Sequence, residues 1–248
     1  MRISTLFHRA GASRAALLLL VAPLACSKAG DAKSASPAAA ASDVKPASAS
    51  GETVAAQAGS MPADSAAQRA AADSGRIMGA PGAKVWMIIA SDFQCPYCKM
   101  WHDQSYEALR KDYVDAGRVR MAYVNYPLSM HEQAKPAAEA AMCASAQKKF
   151  WEYHTALFQS QDSWAKPGDQ TAAYDSLARV VGADVARFHA CTQSHVMRAL
   201  VEADQYRMQK SGVGSTPTFF IGNQRVEGAQ PLPVFRQAMD SALASSGR

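Results

Sequence analysis

Two cysteines three positions apart, Cys95-Pro96-Tyr97-Cys98, sit between an unbroken apolar run, V-W-M-I-I-A over Val85 to Ala90, and a stretch with helical spacing. That junction constrains the chain more than any other feature. An apolar run this short reads as a strand buried on both faces. Beyond Pro96, the residues Tyr106, Leu109 and Tyr113 recur at spacings of three and four, which predicts a helix. Pro96 suits its first turn, where a missing N–H costs nothing. Cys95 then stands at a helix N-terminus, where unpaired N–H groups and the positive end of the helix dipole favour thiolate over thiol. The thiolate is the nucleophile of disulfide exchange, and a low-pKa sulfur is also a good leaving group. Cys98, one turn on, is placed to attack a mixed disulfide at Cys95. On this reading Cys95 is the exposed thiol of the pair. Two other readings compete: half a zinc site, or a structural disulfide. A zinc site lacks its second half, since no further C-x-x-C or H-x-x-H occurs and Cys143 and Cys191 are single and far apart.

The N-terminus has its own logic. Arg2, Arg9 and Arg14 precede the apolar stretch Ala16 to Ala25, which contains Leu17 to Leu20 and ends in small residues and Cys26. A basic region, a short apolar core and a small-residue end read as a signal peptide over 1–25, too short for a membrane anchor. The competing reading, a buried helix of a cytosolic domain, has nothing in the next fifty residues to pack against. Residues 27–75 hold 18 Ala and 9 Ser, and no aromatic occurs between Phe7 and Trp86. So little large apolar surface does not offset the entropy of ordering the chain. Residues 26–75 are therefore expected to be a flexible tether, with transient helix near Ala63 to Ala72. The folded domain is expected over 76–248, a single-domain size.

Charge excludes little but supports little. The formal net charge is +5, yet from Arg76 onward there are 19 basic and 16 acidic residues with no Lys/Arg block. Nucleic-acid binding is not expected. No apolar run reaches the ~18 residues of a membrane-spanning helix, which excludes a polytopic membrane protein.

Within the domain, Val119 to Val124 is a second strand, stopped at Pro127. Helices are expected over Pro136 to Gln147, Phe150 to Gln159, Thr171 to Val181, Val185 to Cys191 and Val196 to Lys210. Thr218 to Ile221 and Gln224 to Val226 form a hairpin across Gly222-Asn223, and Pro233 to Ala244 is a closing helix. The order is β-α-β, then helices, then β-β-α. A Thr216-Pro217 step directly before Thr-Phe-Phe-Ile is unusual, since proline at the head of a core strand is normally unwelcome.

Taken together, S-D-F-Q-C-P-Y-C-K (Ser91 to Lys99), Y-P-L-S-M-H (Tyr126 to His131), A-A-E-A-A-M-C-A, K-F-W-E-Y-H-x-A-L-F and G-V-G-S-T-P-T-F-F-I-G-N resemble the DsbA-like branch of the thioredoxin superfamily over about residues 76–245. The resemblance implies an α/β thioredoxin fold with a helical domain inserted at about 129–212, and thiol–disulfide oxidoreductase activity. It implies that Cys95 is the nucleophile, Cys98 the resolving thiol and Pro217 a cis-proline. Pro96, Tyr97 and the backbone of Thr216 would meet an extended substrate segment. No bound cofactor is implied beyond the Cys95–Cys98 redox disulfide, and no metal. The separation of 119 positions from Cys98 to Pro217 leaves room for the insertion, unlike glutaredoxin, which shares C-P-Y-C. One departure is plain. Similar sequences often carry Glu six residues before the nucleophile, where this chain has Ile89, so the usual buried proton relay is missing.

Cys26 follows Pro23-Leu24-Ala25, which is similar to a lipobox except at Pro23 and Leu24. Lipidation at Cys26 also explains the odd cysteine count, with ordinary cleavage nearby as the alternative. An oxidising compartment favours a structural disulfide between Cys143 and Cys191. His102, His154 and His189 are expected on helix surfaces or in packing, with His131 the one placed to approach the cysteines. Trp101, Trp151, Phe150, Phe158 and Phe188 are expected in the core. The leading expectation is a periplasmic or membrane-tethered oxidase that acts on exported proteins with cysteines. A DsbB-type or vitamin K epoxide reductase-type membrane partner would reset it. A DsbC/DsbG-like isomerase or reductase is the enzymatic alternative, although residues 27–75 lack the aromatics of a dimerisation domain, which argues for a monomer. A non-catalytic surface lipoprotein or metal chaperone is the alternative of another class.

Overall fold

The computed structural model describes residues 63–247. The expected signal segment 1–25, Cys26 and the expected spacer up to residue 62 lie outside the described residues. In chain order come helix α1 (Ala63–Gly75), strand β1 (Ile77–Met78), strand β2 (Val85–Ser91), helix α2 (Pro96–Trp101), helix α3 (Glu107–Leu109) and strand β3 (Val119–Asn125). Helices α4 (Ala134–Ser145), α5 (Phe150–Gln159), α6 (Gln161–Trp164), α7 (Thr171–Val180), α8 (Val185–Gln193) and α9 (Arg198–Lys210) follow. Strands β4 (Thr218–Ile221) and β5 (Gln224–Glu227) and helix α10 (Leu232–Ser246) close the domain.

Among the described residues the strands form one five-stranded sheet in the order β1-β3-β2-β4-β5. β2 and β3 are parallel, with Ile89 beside Tyr123, and β4 runs antiparallel to β2, with Ile89 beside Phe219. The apolar run is thus the central strand, flanked on both sides. Val85, Met87 and Ile89 join Trp101, Leu109, Phe219, Phe235 and Met239 in one buried cluster under the sheet. A second cluster fills the inserted helices and reaches Phe93, Cys95, Cys98 and Tyr123. The cysteine pair therefore lies at the seam between sheet and helical layer. A β-α-β half and a β-β-α half with helices between them make a thioredoxin fold with a helical insertion.

Two local expectations need correction. The helix after Pro96 is not uniform: His102–Tyr106 and Arg110–Val114 are π turns on either side of α3. Each π turn admits an extra residue, and Tyr106, Leu109 and Tyr113 still all reach the core. The last inserted helix begins at Arg198, not Val196, because His195 adopts φ +51° and turns the chain first. The edge strand β1 was not legible, since two residues carry no periodicity.

The largest correction concerns the expected tether. Ala63–Gly75 is helix α1, and it packs on α4 through small residues. Ala72 is fully buried, and its carbonyl accepts a 2.6 Å hydrogen bond from the Ser145 hydroxyl. A Cβ on Gly75 would lie 2.5 Å from that hydroxyl oxygen. Alanine-rich faces on α1 and α4 let two backbones approach, so a stretch without large side chains still packs. The chain leaving α1 is then locked electrostatically. The buried Arg76 guanidinium pairs with Asp73 and with the fully buried Asp204 of α9. Asp204 also accepts from Asn125 N–H at 3.1 Å, from its Nδ2 at 2.9 Å, and from Arg207. One carboxylate therefore joins α1, β3 and α9.

Removing one member of a buried ion pair strands the other charge, a loss of about 3–5 kcal/mol. Asp204→Ala is expected to lower unfolding free energy by an amount in that range, measured by urea denaturation. A loss below 1 kcal/mol would show that Arg76 finds water instead.

Candidate active site

The turn between β2 and α2 presents the two sulfurs. Cys95 is the N-cap of α2 with an extended backbone (φ −68°, ψ 125°), and Pro96 occupies its first turn. The Cys95 N–H donates to the Asp92 carbonyl at 3.1 Å, and its carbonyl receives the Lys99 N–H at 3.1 Å. Gln161 of α6 ties the loop to the helical layer by donating to the Phe93 carbonyl at 2.7 Å and the Cys95 carbonyl at 3.2 Å. Both cysteines are free thiols. The expectation of an exposed Cys95 is corrected: the residue is 3% exposed against 0% for Cys98, so both are buried. The inserted helices and the Thr216 loop cover it.

The Thr216–Pro217 peptide bond is cis. The Thr216 carbonyl lies 3.5 Å from the Cys95 sulfur and accepts from it in its thiol form. The Pro217 carbonyl is held by the Gly228 N–H at 2.8 Å, so the proline loop is anchored to the end of β5. Tyr97 and Met100 on α2 and Met130 in the loop before α4 are exposed, an apolar rim on the elements that carry the site.

The two sulfurs are driven apart electrostatically. Cys95 is pushed down to about 6, chiefly by the Cys98 thiol hydrogen-bonding to it, against the opposing effect of burial. The N–H groups of Cys98 and Tyr97 add to the lowering. Cys98 is pushed well above its ordinary value by complete burial and by the neighbouring Cys95 sulfur, only partly countered by the Ser91 hydroxyl and the Asp92 N–H. One proton is thus held on Cys98 and shared toward an ionised Cys95.

Other residues sort themselves by contact. Cys143 on α4 and Cys191 on α8 are joined by a disulfide, S–S 2.03 Å. His154 is fully buried in an aromatic cluster with Phe93, Tyr106, Tyr123, Trp151 and Phe158, and burial holds it well below the usual imidazole range. His102 stacks on Tyr106, and His189 pairs with Asp175 at the surface. Trp101, Phe150, Phe158 and Phe188 are core residues, and Trp151 is partly buried against the same clusters. Ile89 is fully buried.

Sequence reasoning missed three groups around Cys98. Ser91 and Asp92 were letters in a motif; Tyr123 was one residue of a strand. Tyr123 stands beside Ile89 in the sheet, feels the Cys98 charge, and its buried hydroxyl makes no hydrogen bond of good geometry. Asp92 had a readable signal, an Asx turn onto the Gln94 N–H at 2.7 Å just ahead of a helix start.

In the folded reduced protein Cys95 ionises from about 6 upward, whereas an unfolded thiol ionises near 8.5. The reduced form is therefore expected to gain stability as pH rises across that window and to lose it as pH falls through about 6. Thiolate absorbance should show a midpoint near 6 that vanishes in Cys95→Ser. A midpoint near 8.5 in the wild type would contradict the geometry.

A protein-family model described as Thioredoxin matches residues 71–241. A Na(+)/H(+) antiporter NhaA 3 from Salinispora tropica is 32% identical over 175 residues, which is 70% of this chain and 26% of the antiporter. The chain thus spans about a quarter of that relative's length. Disulfide bond formation protein D of Bacillus subtilis is 21% identical over 174 residues, covering 67% of this chain and 76% of that protein. The crystal structure of oxidised BdbD from Bacillus subtilis superimposes with a TM-score of 0.63 at 20% identity, over 69% of this chain and 94% of that one. At that identity the superposition speaks for the fold.

Proposed function

The chain belongs to the thioredoxin family, in its DsbA-like form, and from that premise we propose that it is an exported protein-disulfide oxidoreductase working as an oxidase. The observation that carries the reading is the placement of the two sulfurs: Cys95 is the N-cap of α2 and Cys98 lies fully buried one turn inside it, which holds the first down to about 6 and the second high. A stabilised Cys95 thiolate stabilises the reduced pair, and so makes the Cys95–Cys98 disulfide a stronger oxidant.

In this mechanism a substrate thiolate attacks the Cys95 sulfur. The new intermolecular S–S bond forms as the Cys95–Cys98 bond breaks, and the electron pair goes to Cys98. A second substrate thiolate then attacks the mixed disulfide, and Cys95 leaves as the thiolate its site favours. The substrate loses two electrons and two protons, and the cysteine pair becomes a dithiol. Pro217 and Thr216 hold the extended substrate backbone beside the sulfur, and Pro96 and Tyr97 form the facing rim. The relative named disulfide bond formation protein D supports this direction. A membrane quinone-linked partner of the DsbB or vitamin K epoxide reductase type would reoxidise the pair, and exported proteins with cysteines would be the substrates. Cys143–Cys191 serves as a structural bridge between α4 and α8.

Equilibration with glutathione redox buffers decides the direction. A reduction potential near about −120 mV is expected for an oxidase, and a value near about −270 mV would overturn that direction in favour of a reductase.

Export through the segment 1–25 with a lipid on Cys26 would hold the domain, as a monomer, at a membrane surface by a spacer of some 35 residues before α1. Palmitate labelling of the protein in cells is expected and should disappear in Cys26→Ser; labelling that persists there would reject the assignment.

A further inference from the structure

Asp92 touches both cysteines without using its side chain. Its N–H donates to the Cys98 sulfur at 3.5 Å, and its carbonyl accepts from the Cys95 N–H at 3.1 Å. Its carboxylate is fully buried and is bonded to the cysteine turn and to the loop after β3. Oδ1 accepts from the Gln94 N–H at 2.7 Å, and Oδ2 accepts from the Leu128 N–H at 2.9 Å. Oδ2 also meets His131 Nδ1 at 2.7 Å. The imidazole is 17% exposed, whereas its carboxylate partner is fully buried. Here, three residues after Ile89, an acid sits beside the resolving sulfur by a different route.

The charges around His131 leave Asp92 as its partner. The polar cavity beside it is lined by Glu132, Lys135, Glu139, His195 and Arg198. Glu139 is taken by His195 at 2.8 Å and Arg198 at 3.0 Å, and Lys135 by Glu202 at 3.2 Å. Glu132 is exposed. On the inner side, the titratable groups facing Asp92 and Cys98 are Cys95 and Tyr123.

We infer that Asp92 and His131 form a proton-linked positioning pair that sets how readily Cys98 leaves as a thiolate. The inference rests on the oxidoreductase reading and deepens it. When His131 carries a proton, the pair is neutral overall and the Asp92 N–H dipole stabilises the departing Cys98 sulfur. When His131 loses it, one buried negative charge is left uncompensated beside that sulfur and opposes a second. In the step itself, the attacking thiolate forms a bond to Cys95, the Cys95–Cys98 bond breaks, and Cys98 receives the electron pair and then a proton from water. His131 and Asp92 are not consumed; they bias the charge at the leaving group.

The test is the rate at which reduced glutathione attacks the oxidised full-length protein from pH 5 to 9, divided by the fraction of glutathione that is thiolate. In the wild type this corrected rate is expected to fall about tenfold through a single step as pH rises, the order for one uncompensated charge near a sulfur at an effective dielectric constant of about 20. His131→Gln should lose the step and stay on the slow limb at every pH. Asp92→Asn should react at or above the fast limb at every pH, because the buried negative charge is gone and a proton on His131 then only adds a positive one. Opposite displacements separate this role from simple damage to the loop, which would slow both. If Asp92→Asn does not fold, His131→Gln alone decides: a step that persists there overturns the inference, and so does displacement of both variants in one direction. A wild type that reacts with glutathione but shows no step overturns this inference alone. A wild type that does not react at any pH overturns the oxidoreductase reading and the pair with it.

Discussion

Asp92 pins the turn on which everything else depends. Its carboxylate satisfies the N–H groups of Gln94 and Leu128 and holds His131, while its main chain reaches both cysteines. A buried carboxylate with that many donors is costly to move. The end of β2, the start of α2 and the loop after β3 are therefore held as one piece. The sulfurs inherit their positions from that piece, and the cis Thr216–Pro217 step meets them from the other side.

The same burial acts in opposite senses on two groups a single turn apart. Cys95 stands at a helix N-terminus with N–H donors and a neighbouring thiol, so its ionised form is favoured despite desolvation. Cys98 lies one turn inside the helix, fully buried, with an anionic neighbour, so its neutral form is favoured. A dithiol with one easily ionised member and one reluctant member separates roles without any cofactor. Filling position 89 with Ile keeps the central strand apolar under this pair, and the polar groups near Cys98 come instead from Ser91, Asp92 and Tyr123.

The helical layer does more than cover the site. Gln161 caps the carbonyls of Phe93 and Cys95, the Gln133 N–H donates to Gln94 Oε1 at 2.6 Å, and Tyr126 donates to the Val213 carbonyl at 2.7 Å. These bonds tie the cysteine turn and the approach to the proline loop to the insertion. The Cys143–Cys191 disulfide and the Asp204 network hold that insertion together and to the sheet.

The local pattern of this chain determined the central strand, the hairpin, most of the inserted helices and the cysteine pair at a helix start. Each depends on periodicity or on turn residues within one element, and local backbone preference suffices to express them. A family resemblance then pointed to Pro217. What only the tertiary structure decided is non-local. Ala63–Gly75 looked like spacer because it lacks large side chains, yet two small-residue helices gain contact by backbone approach, which no count of aromatics records. Asp92 and His131 lie 39 residues apart, and Arg76 and Asp204 lie 128 apart. Their pairing follows from how β2, β3 and α9 stack, and a charged residue's partner is set by that stacking because Coulomb attraction in a buried site acts through space, whatever the distance along the chain.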